Sequence, residues 1–174
     1  LAGNGGPDGD CDIDGIDGGT SGFVRQMWNA NELTTDEAVC AWGDDGIAQF
    51  CHNTYDSSHP MLAGYYARLT TSITYCNQYL NEAESYDATM TAEVRFLDYY
   101  LLMDAFGNIP FSTTVSKPVR YTRQEAYNFI EKELLEIEPS LSAAQPKKST
   151  DSGYGRVDKA AAWLLLSRLY LNAE

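Results

Sequence analysis

Thr91-Ala92-Glu93-Val94-Arg95-Phe96-Leu97-Asp98-Tyr99-Tyr100-Leu101-Leu102-Met103-Asp104-Ala105-Phe106-Gly107-Asn108-Ile109-Pro110-Phe111 is the stretch on which the fold reading turns. Val94, Leu97, Leu101 and Ala105 recur at helical spacing, and Phe96 and Tyr100 widen that stripe. The pattern predicts an amphipathic helix from Ala88 to Phe106. Gly107 suits the left-handed residue that follows a last helical turn, and Pro110 keeps the helix from resuming.

Upstream, Leu62, Tyr65, Leu69, Ile73, Cys76 and Leu80 follow one another at three- and four-residue steps, which predicts a helix entered near Pro60. Asn81 to Asp87 connects it to the next helix, so residues 60–107 are expected to form a first helical hairpin. Downstream, Thr122-Arg123-Gln124-Glu125 reads as a capping box, in which hydroxyl and carboxylate satisfy orphan amides of the first turn. Ala126, Ile130, Leu134 and Ile137 line the face behind it, and Pro139 closes the helix. Residues 140–156 are a Ser/Lys/Gly-rich connector. Asp158 caps a last helix in which Ala162, Leu166 and Tyr170 repeat every fourth residue, giving a second hairpin over 122–174. Small and aromatic residues at these spacings suggest tetratricopeptide-like packing, with a generic helical bundle as the alternative. Residues 1–59 read as loop-rich: a Gly/Asp-rich start, a short helix over Phe23–Asn31 entered from Thr20 or Ser21, and an irregular surface segment over 32–59. No strand is convincing. The expected class is mostly α, with helical hairpins in an α-α superhelix and irregular loops.

The 174 residues suffice for one domain with a real core, and 44% hydrophobic content argues against disorder. Twenty-five acids against twelve bases leave a formal charge of -13, which repels phosphate backbones and anionic membrane surfaces. Nucleic acid is therefore not an expected partner. No apolar run approaches a membrane span. The chain begins with Leu1 and ends on Leu169-Tyr170-Leu171-Asn172-Ala173-Glu174 without a capping signal, and it carries no signal peptide or lipidation cysteine. These ends suggest a piece of a larger protein. The cysteines stand at 11, 40, 51 and 76 without a C-x-x-C pair, and the histidines are His52 and His59, so no structural zinc is expected. Cys76 falls on an apolar helix face and is expected to be buried; Cys40 and Cys51 can pair, with three connectivities open.

Few motifs carry chemistry. Asp8, Asp10, Asp12, Asp14 and Asp17 form an acidic ladder, and residues 10–15 match the first half of an EF-hand loop. Ser21 stands where the bidentate Glu is needed, so a flexible acidic loop is expected and no metal. Asp36-Glu37 and Asp44-Asp45 are paired carboxylates, but adjacent side chains point apart and nothing marks a buried acid of the kind glycosidases use. No nucleophile–base constellation and no phosphate loop is legible. Catalysis from the carboxylate pairs is a weak reading, and no motif calls for a cofactor. Trp42-Gly43-Asp44-Asp45-Gly46 is more suggestive. A loop indole can offer its flat face to the C–H face of a pyranose while carboxylates accept sugar hydroxyl protons and Arg25 donates. The competing reading is that Trp42 anchors its loop on the core.

The Ala92–Phe111 run, Asp14-Gly15-Ile16-Asp17-Gly18-Gly19-Thr20-Ser21-Gly22-Phe23-Val24-Arg25, Glu32-Leu33-Thr34-Thr35-Asp36-Glu37-Ala38, Tyr154-Gly155-Arg156-Val157-Asp158-Lys159-Ala160-Ala161-Ala162 and Leu169-Tyr170-Leu171 together resemble the SusD-like (RagB/SusD) family of outer-membrane nutrient-binding lipoproteins. Asp14 to Tyr79 looks most like its starch-binding branch. The resemblance implies the N-terminal portion of a mostly helical protein with tetratricopeptide-like hairpins. It implies a surface lipoprotein, held by an N-terminal lipid absent here, that captures oligosaccharides without catalysis and delivers them to a SusC-like TonB-dependent transporter. It also implies carbohydrate-binding roles for Asp17, Arg25, Trp42 and Asp45, with an α-glucan such as starch as ligand. Asp45 stands where the family's pattern has an amide, and Cys40 where it has an aromatic. A helical-repeat scaffold that docks on a transporter without binding sugar is the rival expectation, and exposure of Trp42 distinguishes the two.

Overall fold

A computed structural model describes residues 11–13, 17–83, 88–94 and 98–172. The elements are α1 (Phe23–Glu32), α2 (Ile47–Cys51), α3 (Pro60–Glu82), α4 (Ala88–Val94), α5 (Asp98–Phe106), β1 (Ile109–Phe111), β2 (Val119–Tyr121), α6 (Arg123–Ile137) and α7 (Lys159–Leu171), with a 3-10 turn at Glu138–Ser140. The protein is mostly helical. It divides into two compact units between Ser72 and Ile73, inside α3.

In the first unit, α1 starts at Gly22 without a side-chain cap. The segment over 32–59, expected to be irregular surface, contributes the core instead: Leu33, Ile47 and Phe50 are buried with Met61, and Ala30, Ala38, Cys40, Cys51 and Leu62 pack around them. The five residues of α2 are too short for a periodic signal, which is why the sequence hid them. Tyr65 and Leu69 of α3 are buried as their spacing predicts. Arg68, on the same helix, is also fully buried. Its Nε donates to Ser21 O at 2.7 Å, and Nη1 and Nη2 reach Asp12 at 2.8 and 2.6 Å. Asp12 therefore pairs with a buried arginine, and this pairing holds its carboxyl down at about 2 against an ordinary 3.8. Asp8, Asp10 and Asp14 lie outside the described residues. All four cysteines are free thiols.

In the second unit, the opening stretch is helical over α4 and α5; Phe96 and Leu97 of its expected stripe lie outside the described residues. Tyr100, Leu101, Leu102 and Met103 are buried in succession, while Ala105 is exposed. That wide burial follows from α5 packing on α6 and on β1. Gly107 adopts φ +70°, and its N–H bonds Met103 O at 2.8 Å, the left-handed stop that the sequence predicts. Pro110 does more than stop a helix: it sits in β1, which pairs antiparallel with β2 in the register Ile109↔Tyr121, Pro110↔Arg120, Phe111↔Val119. Phe111 stacks on Tyr121 at 3.9 Å between centroids and meets the edge of Phe129 at 4.6 Å. Tyr99 donates its hydroxyl to Ser112 O and accepts from Ser112 N, and burial pushes that phenol above its ordinary value. Three-residue strands give no alternation to read, so this hairpin escaped the sequence.

The capping box is formed: Glu125 N donates to Thr122 Oγ1, and Thr122 N to Glu125 Oε2. Ala126, Ile130, Leu134 and Ile137 are the buried residues of α6, as the spacing requires. Asp158 caps α7 by accepting from Ala160 N and Ala161 N. On α7 the buried set is Ala162, Leu165, Leu166 and Leu169, and Tyr170 is 49% exposed rather than internal. Helix α6 packs against both α5 and α7. Arg156 bridges to Glu93 at 3.1 Å, joining two of the sequence stretches that carried the family resemblance. Cys76 is half-buried and lines a cavity of about 180 Å³ with Ile73, Asn77, Leu80, Tyr99 and Phe129.

Candidate functional site

The four residues singled out by sequence lie in the first unit, on the Asp17–Thr20 turn, on α1 and on the loop into α2. Asp17 shapes its own turn: its Oδ1 accepts from Thr20 N at 3.1 Å, and its carbonyl accepts from Thr20 N and Oγ1. Ser21, fully buried, donates its hydroxyl to Gly18 O and gives its carbonyl to Arg68, so the turn is fastened from below.

Arg25 ties the turn to the loop. Its Nη1 donates to Gly19 O, its Nη2 pairs with Asp44 Oδ2 at 2.8 Å, and its Cζ lies 4.9 Å from the centre of the Trp42 ring. The sequence did not single out Asp44 as Arg25's partner, although it stood in one of the noted carboxylate pairs. The ion pair is about 30% exposed on both sides, so it positions more than it stabilises. Two of the five guanidinium donors are committed, and the cation rests against the indole.

Trp42 is 67% exposed, which removes the reading in which it anchors its loop on the core. The loop is held elsewhere. Gly46 adopts φ +95°, and a Cβ there would come within 2.9 Å of His59 Nε2. His59 is buried; its Nδ1 accepts from Leu62 N at 3.3 Å, so Nε2 carries the proton and donates to Gly46 O at 2.9 Å. Phe50 packs on the imidazole at 4.3 Å. Cys40, where the family resemblance calls for an aromatic, packs toward the core instead.

Beside this platform is an open cleft of about 590 Å³. Asp17, Thr20, Gln26, Asp44 and Asp45 line its polar side, and Pro60, Met61, Ala63, Gly64 and Ala67 its α3 side. The cleft thus brings Asp17 and Asp45 together, whereas Trp42 and Arg25 join them through Asp44. Part of the lining is rich in hydrogen-bond acceptors, the part from α3 is apolar and made mostly of small residues, and the exposed indole is tied to the lining through Arg25 and Asp44. Such a surface suits a neutral, hydroxyl-rich ligand with an apolar face. No group of three or more His, Cys, Asp or Glu able to hold a metal is found among the described residues. Gln26, buried on α1, went unnoticed in the sequence because a Gln next to an Arg on an amphipathic helix carries no signal.

Comparison with known proteins follows the same line. The chain is 39% identical, over 99% of its length, to the starch-binding protein SusD of Bacteroides thetaiotaomicron. It covers 32% of that relative, so it spans about a third of the length of the curated protein it matches. Its fold matches a laminarin-binding SusD-like protein (TM-score 0.66, 24% identity, 84% of this chain and 34% of the other). It also matches a protein solved with xylogluco-oligosaccharide (TM-score 0.66, 20% identity, 84% of this chain and 30% of the other). No protein-family model matches the chain.

Proposed function

Because this chain belongs to the SusD-like family, we propose that it forms part of a cell-surface glycan-binding protein of the outer membrane that captures oligosaccharides for a SusC-like TonB-dependent transporter. It works by stacking and hydrogen bonding, without covalent chemistry. Trp42 supplies the platform, Arg25 orients it, and Asp17 and Asp45 accept hydroxyl protons of the sugar. The ligand is an α-glucan such as starch, which is what the 39% identical relative is named for binding. Residues 60–107 and 122–174 are two successive tetratricopeptide-like hairpins.

The observation that carries the reading is the exposed indole with a guanidinium against its ring, next to a cleft lined by both acceptors and apolar groups. An indole at 67% exposure has no core role to explain it, and stacking on a pyranose gives it one.

Affinity electrophoresis of the full-length protein through gels containing amylopectin, pullulan, dextran or inulin tests it. Retardation by the α-1,4-glucans, lost in Trp42→Ala, is the expected result. Retardation by a different polymer reassigns the glycan. Retardation by none leaves the scaffold role on a transporter, and hydrolysis of any of them by purified protein overturns the binding-only mechanism.

A further inference from the structure

Gln26 is 1% exposed and lines the cleft beside the Trp42 platform. Its Nε2 donates to Thr20 O at 2.8 Å, which settles the orientation of the amide: the opposite flip would set two carbonyl oxygens against each other. The Oε1 is then left with no hydrogen-bond donor among the described residues. A buried amide oxygen without a donor is uncommon in a folded core, and its natural remedy is a partner that arrives from outside.

The rest of the cleft narrows what that partner is. Asp17 and Asp45 have no cationic partner among the described residues, and Asp44 is already paired with Arg25. The side-chain oxygens of Asp17, Asp45 and Gln26 therefore have acceptor capacity to spare, while Gln26 Nε2 and the Thr20 hydroxyl already donate to Thr20 O and Asp17 O. The α3 part of the lining is apolar, with Ala63, Gly64 and Ala67 leaving room for a flat group. A bare metal ion or an ammonium would gain nothing from that part. A sugar ring, apolar on its C–H face and rich in hydroxyl donors at its edge, uses both parts at once.

We propose that Gln26 is a ligand-binding residue, whose amide oxygen accepts the proton of a sugar hydroxyl from a residue or branch of the glycan seated in the cleft. This rests on the glycan-binding reading and extends it from the open platform to an adjoining subsite. The neutral acceptor distinguishes this position from Asp17 and Asp45, whose carboxylates are exposed to solvent.

The test is calorimetric titration of the full-length protein, wild type, Gln26→Met and Trp42→Ala, with maltoheptaose, a laminarin oligosaccharide and a xylogluco-oligosaccharide. Gln26→Met keeps the side-chain length but removes both the acceptor and the N–H that Thr20 O accepts. The expected result is a roughly five- to tenfold loss of affinity for the oligosaccharide that wild type binds, the worth of one neutral hydrogen bond, measured below the melting temperature of the variant, which falls because Thr20 O loses its donor. Monodeoxy forms of that oligosaccharide give a second measurement on wild-type protein: one deoxygenation weakens wild type by a similar factor and weakens Gln26→Met no further. Unchanged affinity in Gln26→Met, or a wild type indifferent to every deoxygenation, overturns the proposal and leaves the platform reading intact if Trp42→Ala abolishes binding. A wild type that binds none of the three removes both.

Discussion

At the scale of single residues, the site depends on one backbone conformation. Gly46 ends the loop that carries Trp42, Asp44 and Asp45, and it does so at φ +95° with no room for a Cβ in front of His59. The imidazole is fixed in turn by the amide of Leu62 and by the Phe50 ring, so it does not yield easily. Gly46→Ala therefore meets two penalties, a left-handed conformation for an L side chain and a contact too close to accept, together worth roughly 1–3 kcal/mol of stability. Denaturant unfolding should show that loss. Glycan affinity should fall with it, because relief of the clash moves the loop that Arg25 anchors through Asp44. A Gly46→Ala protein with wild-type midpoint and wild-type affinity contradicts this account. The sequence pointed to Trp42, Arg25, Asp17 and Asp45 because aromatic, cationic and acidic types near glycine are conspicuous. It was silent on His59, Gln26 and Arg68, whose roles arise from burial and from partners 13, 6 and 56 residues away.

Among the elements, α6 shows what a sequence states unaided. Its first turn is closed by local hydrogen bonds between Thr122 and Glu125, and its buried face is a four-residue repeat, so both signals lie within the segment itself. Helices α3 and α7 are equally plain as helices. Their buried sets are less so, since Arg68, Ser72 and Asn77 are internal on α3 while Tyr170 is exposed on α7. Those differences are set by neighbours that periodicity does not contain. Strands β1 and β2 and the short α2 needed tertiary partners to exist at all. Thr122→Ala removes the hydroxyl acceptor for Glu125 N and should cost α6 about 1 kcal/mol. Glu125 is held below its ordinary value first by the Thr122 backbone amide and then by its hydroxyl. Its lowered folded value means the box contributes in full above the ordinary glutamate range and is lost as pH falls from that range through the lowered folded value. The destabilisation by Thr122→Ala, measured by urea unfolding, should accordingly be larger at pH 7 than at pH 3. An effect that is equal at both, or larger in acid, would rule out the carboxylate's part in the box.

For the whole molecule, charge sets two opposing slopes against pH. A formal charge of -13 repels itself, and protonating ordinary surface carboxylates relieves that repulsion as pH falls. Against it stand carboxylates whose folded values lie below their ordinary ones. They are shared between the units: Asp12 and Asp56 in the first, held chiefly by hydrogen bonds from Arg68 and Ser58, and Glu125 and Asp158 in the second, held chiefly by Thr122 and Lys147. Each lowered value means the native state binds the proton more weakly than the unfolded chain, so the stabilisation is complete above the ordinary carboxylate range and disappears as pH drops through the folded value. For Asp12 the window runs from 3.8 down to about 2. The denaturation midpoint should therefore change little between neutral pH and about pH 5 and fall steeply below about pH 4. Asp12→Asn separates the terms. It takes the Asp12 carboxylate away from Arg68, 0% exposed, and should cost roughly 2–3 kcal/mol at pH 7, less than a wholly buried pair because Asp12 is one-third exposed and Ser21 O still accepts from Arg68. That deficit should shrink as pH falls toward 2, where the wild type loses the same charge. If wild type and Asp12→Asn instead run parallel down to pH 2, Asp12 is not the titrating partner of the buried arginine, and the anchoring of the Asp17–Thr20 turn through Ser21 and Arg68 does not depend on the charge of Asp12.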